Sequence, residues 1–176
     1  AHYCKVATSH NVNIRTFVTE STDGSLESVS RHALCIGDDV MTSFIVNTCQ
    51  PDQYLTDFVI QIDGLKYNKK FKGQGQVQGQ GQKQTKVLLM GLGGGYLAAQ
   101  LATDNYDVTV LEINPHVIEK ARSDFFHYFE ACGLNTSRIK IIEGDAEDPP
   151  DFGGVKFDII VFDIPPIYES KGFESI

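Results

Sequence analysis

From residue 86 onward the sequence alternates short apolar runs with longer segments whose apolar residues recur at helical spacing, and few folds accept that alternation. Lys86-Val-Leu-Leu-Met90, Asp107-Val-Thr-Val-Leu111, Arg138-Ile-Lys-Ile-Ile-Glu143 and Phe157-Asp-Ile-Ile-Val-Phe162 read as strands, rich in β-branched residues. The fourth is apolar enough to be expected buried on both faces. Residues 95–103 read as a helix between the first two. Asn114-Pro115 then offers an N-cap and an N1 proline, after which Ile118, Ala121, Phe125, Tyr128, Phe129 and Cys132 fall on one helical stripe that Gly133 ends. A parallel neighbour is reached only through a crossover, so strand and helix units of this kind predict a parallel α/β sheet. Right-handed crossovers predict the strand order 3-2-1-4.

The first half of the chain is patterned differently. Residues 13–20, 26–36 and 40–47 are β-branched and aromatic, with turn signals at Asp23-Gly24 and Gly37-Asp38-Asp39. They predict a small antiparallel β unit within residues 1–65. Beyond Pro51, residues 52–63 could form a strand or a short helix with Leu55, Phe58 and Val59 on one face, and the helix is the favoured expectation. Residues 66–85, which include the Gly/Gln tract that starts at Lys72, hold little to bury and are expected to form a linker or loop. Residues 86–176 make up the second domain.

Charge and composition narrow the function. Lys and Arg number 15 against 23 Asp and Glu, a formal net charge of −8, which argues against gripping nucleic acid or an anionic membrane. The acidic excess lies entirely in residues 85–176. No apolar run approaches the ~20 residues needed to span a bilayer, and the first residues lack the order of a secretory leader. The cysteines Cys4, Cys35, Cys49 and Cys132 are too scattered for a metal site. Free thiols in a reducing, cytoplasmic setting are the expectation, with no metal and no membrane. The histidines form no constellation, and the aromatic run Phe125-Phe126-His127-Tyr128-Phe129 is spaced to pack a helix on a sheet.

The residues that carry chemistry sit at the expected strand tips. Gly91-Leu-Gly-Gly-Gly95 lies between the first strand and the first helix of the second domain, where glycine permits a sharp turn and close approach of a ligand. The dinucleotide fingerprint would need Gly or Ala where Tyr96 stands, so binding of NAD is the runner-up. Glu112, at the second tip, can accept both hydroxyls of a ribose, and Asp145, at the third, can accept from an adenine amino group. Asp163 ends the fourth strand. Three strand tips of one sheet each present an acid.

These segments, V-L-L-M-G-L-G-G-G-Y, V-T-V-L-E-I-N-P, I-K-I-I-E-G-D-A and F-D-I-I-V-F-D, resemble the successive motifs of class I S-adenosylmethionine-dependent methyltransferases. G-L-G-G-G, E-I-N-P and a β-rich N-terminal unit are most similar to the spermidine-synthase-like branch and its methyltransferase-like members. The resemblance implies a Rossmann-like sheet, shortened because the family carries three more strands after the fourth. It implies that Gly91, Gly93 and Gly95 face the methionine part of S-adenosylmethionine or its decarboxylated relative, Glu112 the ribose, and Ile113, Asp145 and Ala146 the adenine. Asp163 would be the catalytic carboxylate that steers or deprotonates an amine. The implied substrate is a cationic amine, a protein Lys or a polyamine, accepting a methyl group. Aminopropyl transfer and a non-catalytic binding module remain alternatives, and the open sheet edge could pair two copies of the chain.

Overall fold

The computed structural model describes residues 11–20, 28–37, 39–45, 50–51, 53–72 and 84–164. The Asp23-Gly24 turn, most of the Gly/Gln tract, Cys4, Cys49 and everything after Ile164 lie outside these.

Three antiparallel strands open the fold: β1 (Val12–Glu20), β2 (Ser28–Ile36) and β3 (Asp39–Ile45), in the order β1-β2-β3. Val12 pairs with Ile36 and Glu20 with Ser28, while the β2–β3 register shifts at Leu34/Cys35. The helix expected after Pro51 forms as α1 (Gln53–Lys72) and runs on into residues assigned from sequence to the linker.

The second sheet contains β4 (Lys86–Met90), β5 (Asp107–Glu112), β6 (Ile139–Glu143) and β7 (Ile159–Phe162). All its pairings are parallel and its order is β6-β5-β4-β7, the order expected from right-handed crossovers. Helix α2 (Tyr96–Thr103) joins β4 to β5. From β5 to β6 the chain passes through α3 (Pro115–Lys120), a π turn (Ala121–Phe125) and α4 (Phe126–Ala131) without a break. Asn114 caps α3 by accepting the His116 amide at 2.9 Å. After Ala131 the chain leaves the helix through Gly133, at φ 86°.

One face of the parallel sheet, carrying Val87, Leu89, Val108, Val110, Ile159 and Val161, packs on α2, α3, α4 and the π turn. Val12, Leu34, Ile36, Phe44, Leu55 and Ile62 belong to the same buried cluster, so the two sheets share one core. Phe44 is the joint. Its ring lies 5.4 Å from Phe125, 5.2 Å from Phe129 and 5.1 Å from Tyr128. His32 meets both Phe44 and Tyr128 edge-on. The aromatic run is therefore core material, as its spacing predicts.

On the opposite face Leu88, Met90 and Leu111 are covered by Ile142, Ala146, Phe152, Phe157 and Ile164. Residues 144–158, which connect β6 to β7, contain no helix. Phe152 and Phe157 meet edge to face at 5.2 Å and supply the cover themselves. This corrects the expectation that the fourth strand is buried on both faces. Ile159 and Val161 are buried, but Ile160 and Phe162 are 52% and 64% exposed, because β7 lies at the edge of the sheet and the aromatic cover sits over β4 and β5.

The cysteines also differ from expectation. Cys35 is buried and not in a disulfide. Cys132, placed on the helical core stripe by its spacing, instead lies in the turn past Ala131, exposed and disulfide-bonded to a partner outside the described residues. Among the described residues no helix is long and apolar enough to cross a membrane.

Candidate functional site

The loop between β4 and α2 reverses the chain in five residues, and it does so through three glycines at positive φ: Gly91 at 95°, Gly93 at 51° and Gly95 at 84°. The Gly91 amide donates to the Leu111 carbonyl at 2.9 Å, and the Asp163 amide donates to the Met90 carbonyl at 2.8 Å. These bonds carry the parallel ladder past the strand ends and bring the β4 and β7 tips together. A β-carbon on Gly91 would stand 2.4 Å from the Asp163 carbonyl oxygen. Glycine is required there by backbone, which cannot step aside.

Glu112 holds the loop from below. One carboxylate oxygen accepts the Leu92 amide at 2.8 Å, and the other accepts the Asn114 amide at 2.9 Å. The side chain is buried. Burial pushes its pKa up, while the amides of Asn114, Leu92 and Ile113 pull it back by stabilising the charged form. The two oxygens have four acceptor directions between them, and the amides of Leu92, Asn114 and Ile113 leave capacity for a hydroxyl of a ligand. The third tip is tied in through the Gly144 amide, which donates to the Glu112 carbonyl at 2.9 Å.

Asp145, beyond β6, is half-buried, and its Oδ1 accepts the Glu147 amide at 2.8 Å. Ile113 is half-buried as well, and Ala146 packs under the sheet against the Leu88, Met90 and Leu111 cluster. Asp163, at the end of β7, has its pKa raised to about 6 by burial.

The glycine loop, Glu112 and Asp163, singled out from sequence, are thus joined by backbone contacts at one end of the sheet. Asp145 follows the adjacent strand. Phe126 was missed as a member of this region. The Cβ position of Gly95 falls 2.5 Å from Cε1 of the Phe126 ring, so this glycine makes room for a side chain of the chain's own. The aromatic run was legible as core, but nothing in its spacing singles out the one ring that meets the loop.

A parallel sheet in this order, with a glycine turn after one strand and a buried acid at the tip of the next, is the frame of a Rossmann-like domain that holds a nucleoside-bearing cofactor at its strand tips. Residues 87–168 match the family model described as a methyltransferase domain. The match covers just under half of the chain and supports a methyltransferase domain in these residues. It does not reach as far as a particular branch. No curated protein matches the chain.

Proposed function

We propose that the chain binds S-adenosylmethionine across the tips of β4, β5 and β6 and directs its methyl group to an amine presented near Asp163. The observation that carries this reading is the Glu112 carboxylate, buried and aimed by two amides, under a loop of three positive-φ glycines. Such a carboxylate accepts from a ribose hydroxyl without reorganising, because its own geometry is already fixed. The glycine loop lets the backbone come close to the methionine part, and Ile113 and Asp145 flank the adenine side.

S-adenosylmethionine, when bound, supplies a methyl group on a sulfonium that leaves as a neutral thioether, so no acid is needed for the leaving group. The chain contributes position and a proton acceptor. An alkylammonium must lose a proton before its nitrogen lone pair can attack, and in this reading the Asp163 carboxylate takes it. Burial lifts this base to about 6, which narrows its distance from an ammonium pKa of about 10 and still leaves it ionised at neutral pH. The acidic balance of residues 85–176 favours a cationic acceptor such as a protein lysine or a small amine. The cytoplasmic expectation rested on free thiols, and the Cys132 disulfide removes that support.

Calorimetric titration with S-adenosylmethionine, S-adenosylhomocysteine and NAD tests the cofactor. Tight binding of the first two, weakened by about 1–3 kcal/mol in Glu112→Ala, is the expected result. Preference for NAD would replace this reading with a nicotinamide oxidoreductase. Transfer of labelled methyl to lysine peptides tests the acceptor, and cofactor binding without labelling would favour a non-catalytic binding module.

A further inference from the structure

We infer that Phe126 is a positioning residue for the cofactor loop, set against Gly95 by the π turn that precedes it. The inference rests on the cofactor reading above and adds to it the device that fixes the loop from its outer side.

Gly95 is the hinge between the loop and α2. Its amide donates to the Leu92 carbonyl at 2.8 Å and its carbonyl accepts from the Ala99 amide at 3.0 Å, so it closes the turn and starts the helix at once. It does this at φ 84°, a conformation with no steric preference of its own for glycine. Something outside the loop has to select it. Glu112 fixes Leu92, three residues earlier, from beneath the sheet tip. At Gly95 the neighbour is the Phe126 ring, with Cε1 2.5 Å and Cδ1 and Cζ 3.4 Å from where a β-carbon would be.

The ring gets there because the helix is interrupted. The Phe126 amide donates to the Ala121 carbonyl, five residues back instead of four, and the turn Ala121–Phe125 holds one residue more than an α-helical turn would. One extra residue offsets everything that follows by about 100° around the axis relative to an unbroken helix. Phe125 and Phe129 remain buried against Phe44, while Phe126 is turned to Gly95. A π turn has poorer packing than the α-helix it replaces, and here it places one ring on the loop without taking the other two from the core.

The test compares wild type with Phe126→Ala and Phe126→Leu in three measurements: S-adenosylhomocysteine affinity, amide exchange at Gly95 and Ala99, and thermal midpoint. In Phe126→Ala the two amides exchange faster and affinity falls about tenfold, which corresponds to about 1.4 kcal/mol. Phe126→Leu, which refills most of the space, stays within about threefold of wild type in affinity and restores slow exchange. If the alanine variant does not fold, Phe126→Val, which also lacks the ring edge, replaces it. A folded Phe126→Ala or Phe126→Val variant whose Gly95 and Ala99 amides exchange as in wild type, or whose affinity is unchanged, overturns the inference. Failure of the wild type to bind S-adenosylhomocysteine would sink the cofactor reading instead, and the exchange comparison would still decide whether Phe126 fixes the loop.

Discussion

Replacing Asp163 by asparagine removes a charge that the fold holds at a cost, and the cost can be worked out from its surroundings. Burial raises the carboxyl from 3.8 to about 6. At about 1.4 kcal/mol per pKa unit, keeping it ionised in the folded state costs about 3 kcal/mol relative to the unfolded chain. Between those two values the folded state retains a proton that the unfolded state has released. Stability from this group is therefore fully present below about pH 4, falls as pH rises through the window, and is lowest above about pH 6. Asparagine has a similar shape and cannot ionise. The difference in unfolding free energy, Asp163→Asn minus wild type, should rise by about 2.5 kcal/mol from pH 4 to pH 8. Any fixed penalty of burying the amide shifts the whole difference without changing its slope, and the other carboxylates cancel because both proteins carry them. Urea denaturation followed by circular dichroism at whole pH units from 4 to 8 measures the quantity directly. A difference that stays flat across that range would show that Asp163 is not held in a desolvated setting, and its selection as the proton acceptor would lose its basis. Methyl transfer should fall in the same variant, most strongly above pH 6, where the wild-type carboxylate is ionised.

Two further outcomes follow from the loop and the disulfide. Gly91→Ala forces a side chain into a positive-φ position and against the Asp163 carbonyl, so it should destabilise by about 2–5 kcal/mol through strain and overpacking combined; a thermal midpoint near that of wild type would show that the β4 and β7 tips are not in contact. Reduction of the disulfide at Cys132 should lower stability by about 2–4 kcal/mol, read as a shift of the urea midpoint with and without dithiothreitol. Peptide mapping under non-reducing conditions identifies the partner, and recovery of Cys132 as a free thiol would contradict the bond.

Where local chemistry decides the outcome, the sequence was a sufficient guide. Val87, Leu89, Val108 and Val110 sit in strands whose apolar continuity admits little else, and Asn114-Pro115 starts a helix by a mechanism that needs no tertiary partner. The same holds for the glycine loop and Glu112, because a turn of that kind requires glycine and the strand tip requires an acceptor for its amides. What escaped depends on neighbours. The exposure of Ile160 and Phe162 follows from which elements lie over an edge strand, and two apolar side chains read the same whether covered or not. α1 runs beyond its apolar face because helical propagation, once begun, is cheap per residue. The π turn leaves the apolar spacing of residues 118–129 looking like that of an ordinary helix, so neither its place nor the approach of Phe126 to Gly95 could be foreseen.

The shared core also sets a timetable for synthesis. Phe44 is made long before Phe125 and Phe129, and Val12 long before Ile159 and Val161, yet these residues bury one another. At ribosomal rates the wait between the first and last of them is on the order of ten seconds. Through that interval the three-stranded sheet has emerged with Leu34, Ile36 and Phe44 uncovered, and a lone small sheet is too weak to bury them by itself. The emerging chain therefore presents an apolar face to whatever receives nascent polypeptides. A ribosome stalled before residue 115 would leave a product unable to complete its fold.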